Sequence, residues 1–305
     1  MKQFKYISSL PEEEIDNSVV IPCIDEEGRH AILIKNSVYK TTSTKYYTDN
    51  LSIQMDVVLQ LNNKSYYFHI ISSMKNDHFS VRQFETIFEY IFKKICCPVS
   101  GNELSMLIIS IEDYFKITPE SDYFETQVGV FGELFTIHYL HNKGYENIIN
   151  KYHKDFYSKH DIEIDPFNRI EIKTTISEKR VHRFKHNQIY RPGINIYVVS
   201  VMLEQSKEGV SLYEMFQQII ELYSDPDSIF FLKKLMKKCN VSVENVGLRF
   251  NIEFAVENFR IYESSDLPKL STDIPNGISN ISYDVDCSLS RSVNVINFIN
   301  KIKNL

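Results

Sequence analysis

From His160 to Gln188 the chain reads HDIEIDPFNRIEIKTTISEKRVHRFKHNQ, and the first half of that stretch leaves little choice of local structure. Asp161, Glu163 and Asp165 alternate with Ile162 and Ile164; beyond Pro166-Phe167-Asn168, Arg169, Glu171 and Lys173 alternate with Ile170 and Ile172. Alternation of period two marks half-buried strands, because successive side chains leave a strand on opposite faces. The spacing therefore predicts a hairpin whose isoleucines enter a core while Asp161, Glu171 and Lys173 share the other face. A three-residue turn at Pro166-Phe167-Asn168 sets Asp161 opposite Lys173 and Glu163 opposite Glu171, and proline and asparagine suit such a turn.

Two carboxylates a few ångströms apart can hold Mg²⁺, a hard ion that takes oxygen ligands and keeps water sites free for a substrate phosphate. A lysine beside them can orient or help deprotonate an attacking water and offset charge on the phosphorane. Here the residues resemble a known family. Asp161, nine residues, then Glu171-Ile172-Lys173 looks like the PD-(D/E)XK nuclease signature, with His160-Asp161 or Ile164-Asp165 as its loose first half and Asp161 the better match.

The resemblance extends to Gly129-Val130-Phe131-Gly132-Glu133-Leu134, to Thr174-Thr175, and to Arg180-Val181-His182-Arg183 leading to Gln188. Phe259-Arg260-Ile261, Ile274 to Ile278 and Ser282-Tyr283-Asp284-Val285 join it. Together they resemble an uncharacterised family of PD-(D/E)XK motif proteins found in bacterial restriction and phage-defence gene clusters. The resemblance implies an α/β (α+β) fold with a restriction-endonuclease-like core, its mixed central sheet flanked by helices. To that core are added a β-rich N-terminal region and an α/β C-terminal region. It implies an Mg²⁺- or Mn²⁺-dependent endodeoxyribonuclease with Glu133, Asp161, Glu171 and Lys173 catalytic. The metal would be held by Asp161, Glu171 and the backbone carbonyl of Ile172, with Glu133 helping directly or through water. The implied partners are DNA, proteins of the same defence gene cluster and a second copy of the chain. One departure stands out: the family often has a tryptophan before the Asp, and this chain has none, leaving Tyr152, Phe156 or Tyr157 for that support.

Glu133 also carries a signal of its own. Its neighbours at three, four and seven residues are Gly129, Val130, Thr136, Ile137 and Leu140, so it lies on a helix face that otherwise looks buried and needs a partner such as Lys173 or a water. Downstream, in Lys179-Arg180-Val181-His182-Arg183-Phe184-Lys185-His186, six of eight positions can be positive directly after the second strand. From that placement Thr174, Lys179, Arg180, His182, Arg183, Lys185 and Gln188 are the expected nucleic-acid contacts. The stretch Lys151 to Lys159, basic with interleaved aromatics, reads equally as a phosphate- or base-touching loop and as a solvated one.

Composition sets the outer bounds. A chain of 305 residues, 43% apolar and 24% charged, is an ordinary globular protein able to bury a sizeable core. A net charge of −6 is unusual for a protein that binds DNA alone by phosphate neutralisation, which argues for partners that bring it there. No apolar run is long enough to span a bilayer and the N-terminus lacks a signal-peptide core, so a cytoplasmic protein without membrane contact is expected. Five cysteines without C-x-x-C or zinc spacing predict free buried thiols.

Three regions are expected: 1–118, β-rich with two helices; 119–205, the nuclease core; and 206–305, helical and β. In the first, strands are predicted at 18–23, 30–38, 51–61 and 64–72 with a turn at Asn62-Asn63, then helices at 79–95 and 102–116. His69 reads as a satisfied histidine and the whole region as a platform for packing or partner contact. A helix from about 122 to 142, capped by Ser121 or Asp122, carries Glu133. Ile194 to Leu203 is a central strand, 212–223 and 229–238 are helices, 248–262 and 278–287 alternate like strands, and 294–303 is a last helix.

Overall fold

Residues 5–38, 43–61, 64–75, 77–118, 123–152, 158–270 and 277–304 are described by the computed structural model. The expected turn at Asn62-Asn63, the caps Ser121 and Asp122, the loop residues His153, Lys154, Phe156 and Tyr157, and Ile274 to Asn276 lie outside them. Contacts divide the chain into two units, Met1–Thr118 and Pro119–Leu305.

In the first unit, alternating β-branched and aromatic residues form β1 (Lys5–Tyr6), β2 (Val20–Ile24), β3 (His30–Lys35), β4 (Thr44–Tyr47), β5 (Leu51–Leu61) and β6 (Lys64–Ser73). They make one sheet in the order β1-β2-β3-β6-β5-β4. The α-helices α1 (Glu12–Asn17), α2 (His78–Lys94) and α3 (Gly101–Lys116) accompany it. Asp77 caps α2, and Ser100 with Glu103 forms a capping box at α3. Asp56 is held at φ 56° where the β5–β6 register slips between Gln54 and Val57. Its carboxylate accepts from Asn36 Nδ2 at 2.7 Å and its N–H donates to His69 Nδ1 at 3.2 Å. His69 Nε2 meets the Val99 carbonyl at 3.1 Å, so both ring nitrogens of this buried histidine are satisfied.

The second unit is built on α4 (Phe124–Asn142), β7 (Ile162–Asp165), β8 (Asn168–Thr175), β9 (Val181–Lys185), α5 (His186–Ile189) and β10 (Asn195–Met202). They are followed by β11 (Gln205–Ser211), α6 (Leu212–Leu222), α7 (Pro226–Lys238), β12 (Arg249–Phe250), α8 (Ile252–Glu257), β13 (Arg260–Glu263), β14 (Ser282–Asp286) and α9 (Val295–Lys303). The central sheet is mixed, in the order β13-β10-β8-β7, with β10 parallel to β8 and antiparallel to β13. Buried along almost its whole length, β10 is the interior strand its apolar run predicts.

Each face of this sheet has its own cover. Ile162, Ile164, Ile170, Ile172, Tyr197, Val199 and Val201 point into a core completed by Phe131, Leu134 and Phe135 of α4 and Phe216 of α6. On the other face Val198 packs with Phe184, Ile189, Tyr262, Val285 and Cys287, under a ribbon of β9 paired antiparallel with β14. Leu212, Leu235, Phe250, Phe259 and Phe298, from residues 206–305, join the first of these cores, to which α6 and α9 each turn an apolar face.

Two expectations are corrected. The strand-like alternation over 248–262 is broken by α8, because the Asn251 side chain accepts from the Phe254 N–H and starts a helical turn. Of the five cysteines only Cys23, Cys239 and Cys287 are buried; Cys96 and Cys97 are exposed. Among the described residues no helix is long and apolar enough to cross a membrane.

Candidate active site

The hairpin forms, with a register different from the one its turn residues suggest. Ile162 pairs with Ile170, Glu163 with Arg169, and Asp165 with Asn168 across a bulge. Asp165 causes the shift: its carboxylate accepts from the Phe167 N–H at 2.7 Å, the Asn168 N–H at 3.0 Å and Asn168 Nδ2 at 2.8 Å, closing a tighter turn. The offset is two residues, an even number, so every side chain keeps its face while its partner changes. Continued by one residue, the observed register puts Asp161 across from Glu171 rather than Lys173. Asp165 is thereby consumed in the turn, and Asp161 is left as the acid of the site.

Around Glu171, charge is concentrated and dry. Glu171 is 2% exposed; its Oε1 lies 2.7 Å from Lys173 Nζ and its Oε2 lies 3.3 Å from Nδ1 of buried His160. His160 Nε2 is buried with no hydrogen-bond partner among the described residues. Asp161 Oδ2 accepts from the Ile172 N–H at 2.6 Å. A strand residue presents its N–H and C=O along the same edge, so the Ile172 carbonyl faces the side on which Asp161 sits. Burial, then the charges of Glu171 and Glu133, push the Asp161 carboxyl well above the usual carboxylate range, against the Ile172 N–H and Lys173. Glu133 comes from α4, where Tyr152 Oη donates to its Oε2 at 2.7 Å; buried Tyr152 also sets its ring edge-on to Phe231. The companion expected for Glu133, a water or Lys173, thus includes a tyrosine the sequence offered only as a stand-in for the missing tryptophan.

Lys173 itself is held on several sides. Besides Glu171, its Nζ donates to Gln188 Oε1 at 3.3 Å and stands 5.3 Å from the centroid of the Phe184 ring. Gln188, expected to touch nucleic acid, is therefore turned to the lysine and to the Lys185 N–H, from which it accepts at 3.0 Å.

Three of the other expected nucleic-acid contacts have partners within the protein. Arg180 is 8% exposed and its guanidinium donates to Ser200 O at 2.9 Å, Ser200 Oγ at 2.8 Å and Asn258 O at 2.8 Å. His182 is 4% exposed, shares Ser200 Oγ at 2.6 Å, and burial followed by the Arg180 charge lowers its pKa to about 4, leaving it neutral. Thr174 points to the α4 side of the sheet, against Gly132. Strand alternation explains the loss: in β9, Val181, Arg183 and Lys185 face outward while His182 and Phe184 face the sheet. Of the expected basic contacts Lys179, Arg183 and Lys185 stay exposed, and the β14 register sets Asp284 across from Arg183.

The donor set suits a hard divalent ion. Three carboxylates, Glu133, Asp161 and Glu171, act on one another in a buried place where Lys173 offsets part of the charge, and oxygen donors of this kind select Mg²⁺ or Mn²⁺. Among the described residues no three His, Cys, Asp or Glu side chains form a preassembled metal cage.

No curated protein matches this chain, and no solved structure does. The family described as "Putative PD-(D/E)XK family member, (DUF4420)" matches residues 12–288, most of the sequence, including every residue of the hairpin and Glu133. The chain therefore belongs to this family, a branch of the PD-(D/E)XK nuclease superfamily.

Proposed function

We propose that this protein hydrolyses phosphodiester bonds of DNA as an Mg²⁺- or Mn²⁺-dependent endonuclease, working as one subunit of a bacterial restriction or anti-phage defence system. One observation carries the reading: in a member of this family, Lys173 Nζ lies 2.7 Å from Glu171 Oε1 on the strand face that Asp161 shares. Asp161, Glu171 and the Ile172 carbonyl would hold the cation, with Glu133 beside them. When bound, the cation supplies positive charge that offsets the gathered carboxylates and the phosphate.

The chain's own groups supply the rest. Lys173 has three N–H bonds; two have protein acceptors, and the third can donate to the attacking water or to a phosphate oxygen. Its charge then stabilises the negative charge that grows on phosphorus as water attacks and the O3′–P or P–O5′ bond breaks, with a proton lost from water and one gained by the departing alkoxide. Tyr152 fixes Glu133, and His160 with Lys173 fixes both oxygens of Glu171. DNA contact falls to Lys179, Arg183 and Lys185, a modest patch for a chain of net charge −6, which supports recruitment by protein partners.

The test is cleavage of plasmid DNA in Mg²⁺ and in Mn²⁺ with the partner proteins present, comparing the wild type with Glu171→Ala and Lys173→Ala. Loss of the lysine should leave cation affinity by calorimetry nearly intact and slow cleavage by ~10² or more, the usual worth of a positioned acid or base. Full nicking by Lys173→Ala would end the assigned role. A second reading, a catalytically silent nuclease-fold subunit that binds DNA or assembles a complex, draws on the internal pairing of Glu171 by Lys173 and His160. It predicts a metal-independent gel shift and equal, background cleavage by wild type and Glu171→Ala.

A further inference from the structure

Gln188 occupies a place that neither a DNA contact nor a helix cap alone explains. Its Oε1 accepts twice, from the Lys185 N–H at 3.0 Å and from Lys173 Nζ at 3.3 Å. The first bond is a local one, tying the side chain at the third position of α5 back to the residue that starts it. The second crosses from the β9–α5 corner to β8. Between them the ring of Phe184, which is fully buried, lies under the ammonium at 5.3 Å from its centroid. A lysine carries four rotatable carbons and a large rotamer entropy, and Lys173 sits partly in solvent, its side chain 20% exposed. Glu171 alone would fix the distance of Nζ along the strand without fixing its direction.

We infer that Gln188 is a positioning residue, which together with Phe184 aims the Lys173 ammonium so that one N–H bond is left pointing at the reacting phosphate or water. The inference rests on the nuclease reading of the site. Gln188 touches neither substrate nor cation in this assignment; it acts through Lys173. Its bond to the Lys185 N–H keeps the amide oxygen from swinging away, so the local cap and the long-range contact are two uses of one atom. An oxygen acceptor at this position is what the function requires. The amide nitrogen is dispensable.

Two substitutions separate the possibilities. Gln188→Met keeps length and volume and removes the acceptor; Gln188→Glu keeps an acceptor for both donors. In the cleavage assay with the full chain and its partners, Gln188→Met should lower kcat about tenfold, within the range a misplaced catalytic group costs, with KM for DNA unchanged. Gln188→Glu should restore the rate to within about threefold of wild type, since positioning by hydrogen bond is recovered. A Gln188→Met enzyme with normal kcat and raised KM would return the residue to DNA contact, and a Gln188→Glu enzyme as slow as Gln188→Met would show that the acceptor is not what matters; either overturns the inference. An arm independent of turnover uses the cation-free protein, where acetic anhydride labelling is read by mass spectrometry. Lys173 should label severalfold faster in Gln188→Met than in wild type, relative to exposed Lys185, and return to slow labelling in Gln188→Glu. Unchanged labelling of Lys173 in Gln188→Met also overturns it. If wild type fails to cleave in any cation with any partner, the nuclease reading falls while the labelling arm still decides whether Gln188 aims the lysine.

Discussion

Gly132→Ala tests the seating of α4 on the sheet, on which the position of Glu133 depends. Alanine in a helix interior ordinarily gains about 1 kcal/mol over glycine. Here a Cβ on residue 132 would stand 1.9 Å from Thr174 Oγ1 and 2.9 Å from both Thr174 Cβ and Cγ2. Carbon atoms in contact sit roughly 3.5–4.0 Å apart, so the two 2.9 Å gaps are short by about half an ångström or more, and the 1.9 Å gap to Oγ1 is short by more than an ångström. Thr174 is β-branched and has both branches against the glycine, so rotating χ1 exchanges one clash for another. On β8, held between β7 and β10, its backbone has little room to retreat. The helix must lift instead, and overpacking of this kind costs about 1–3 kcal/mol or more. Set against the propensity gain, Gly132→Ala should lose about 1–2 kcal/mol in urea unfolding of the cation-free protein. Adding Thr174→Ala removes Oγ1 and Cγ2 and should recover more than half of that loss, a non-additivity expected of residues in contact. A Gly132→Ala protein as stable as wild type, indifferent to Thr174→Ala, would refute the contact and free Thr174 for the substrate role that its sequence position suggests.

Three other outcomes follow from the same geometry. Arg180→Met should destabilise the protein by about 3 kcal/mol or more, because the Ser200 and Asn258 carbonyls and Ser200 Oγ lose their donor in a buried place; the salt dependence of DNA binding should stay fixed, whereas Lys185→Ala should lower that slope by about one charge. His182 has a depressed folded pKa, about 4 against an ordinary 6.5, so the unfolded chain binds more protons between those values and stability falls as pH drops from 6.5 to 4. Urea titrations across that window should show up to about 3 kcal/mol of pH-dependent loss, most of it absent in His182→Gln. Asp161→Asn removes one of three mutually repelling carboxylates, so the melting temperature of the cation-free protein should rise while its further rise on adding Mn²⁺ disappears; a variant still stabilised by Mn²⁺ as strongly as wild type would place the cation elsewhere.

What the sequence could say depended on how local each determinant is. The faces of β7 and β8 follow from period two alone, and the structure keeps them, because the register slip is even. The pairing did not, since it hangs on the Asp165 side chain closing the turn, a hydrogen-bonding choice that alternation does not encode. The basic run after β8 looked like one surface because charge was counted along the chain. Phe184 in its middle was the available signal: an aromatic that must face a core carries His182 inward with it. The rest lay out of sight, because β9 finds its partner β14 about a hundred residues on, and Arg180 finds Ser200 and Asn258 only in the folded chain. Strand β11, rich in polar residues and paired to two residues of β12, has no periodic signal at all.

These corrections change how the site must work. A continuous cationic patch could draw DNA to the acids by its own field; with Arg180 and His182 turned inward and Asp284 across from Arg183, that patch is broken. On the proposed nuclease reading, phosphate would approach such a place only once the acids are countered, so cation binding and substrate binding would be coupled, each raising the affinity for the other. The same balance makes the aim of Lys173 matter more, because its Nζ lies 2.7 Å from Glu171 Oε1 in the middle of the gathered acids. His182 is held neutral by burial, so on the proposed reading the direction of one ammonium, set by Glu171, Phe184 and Gln188, would carry the electrostatic work next to the reacting phosphate, with Lys179, Arg183 and Lys185 left for contact farther along the DNA.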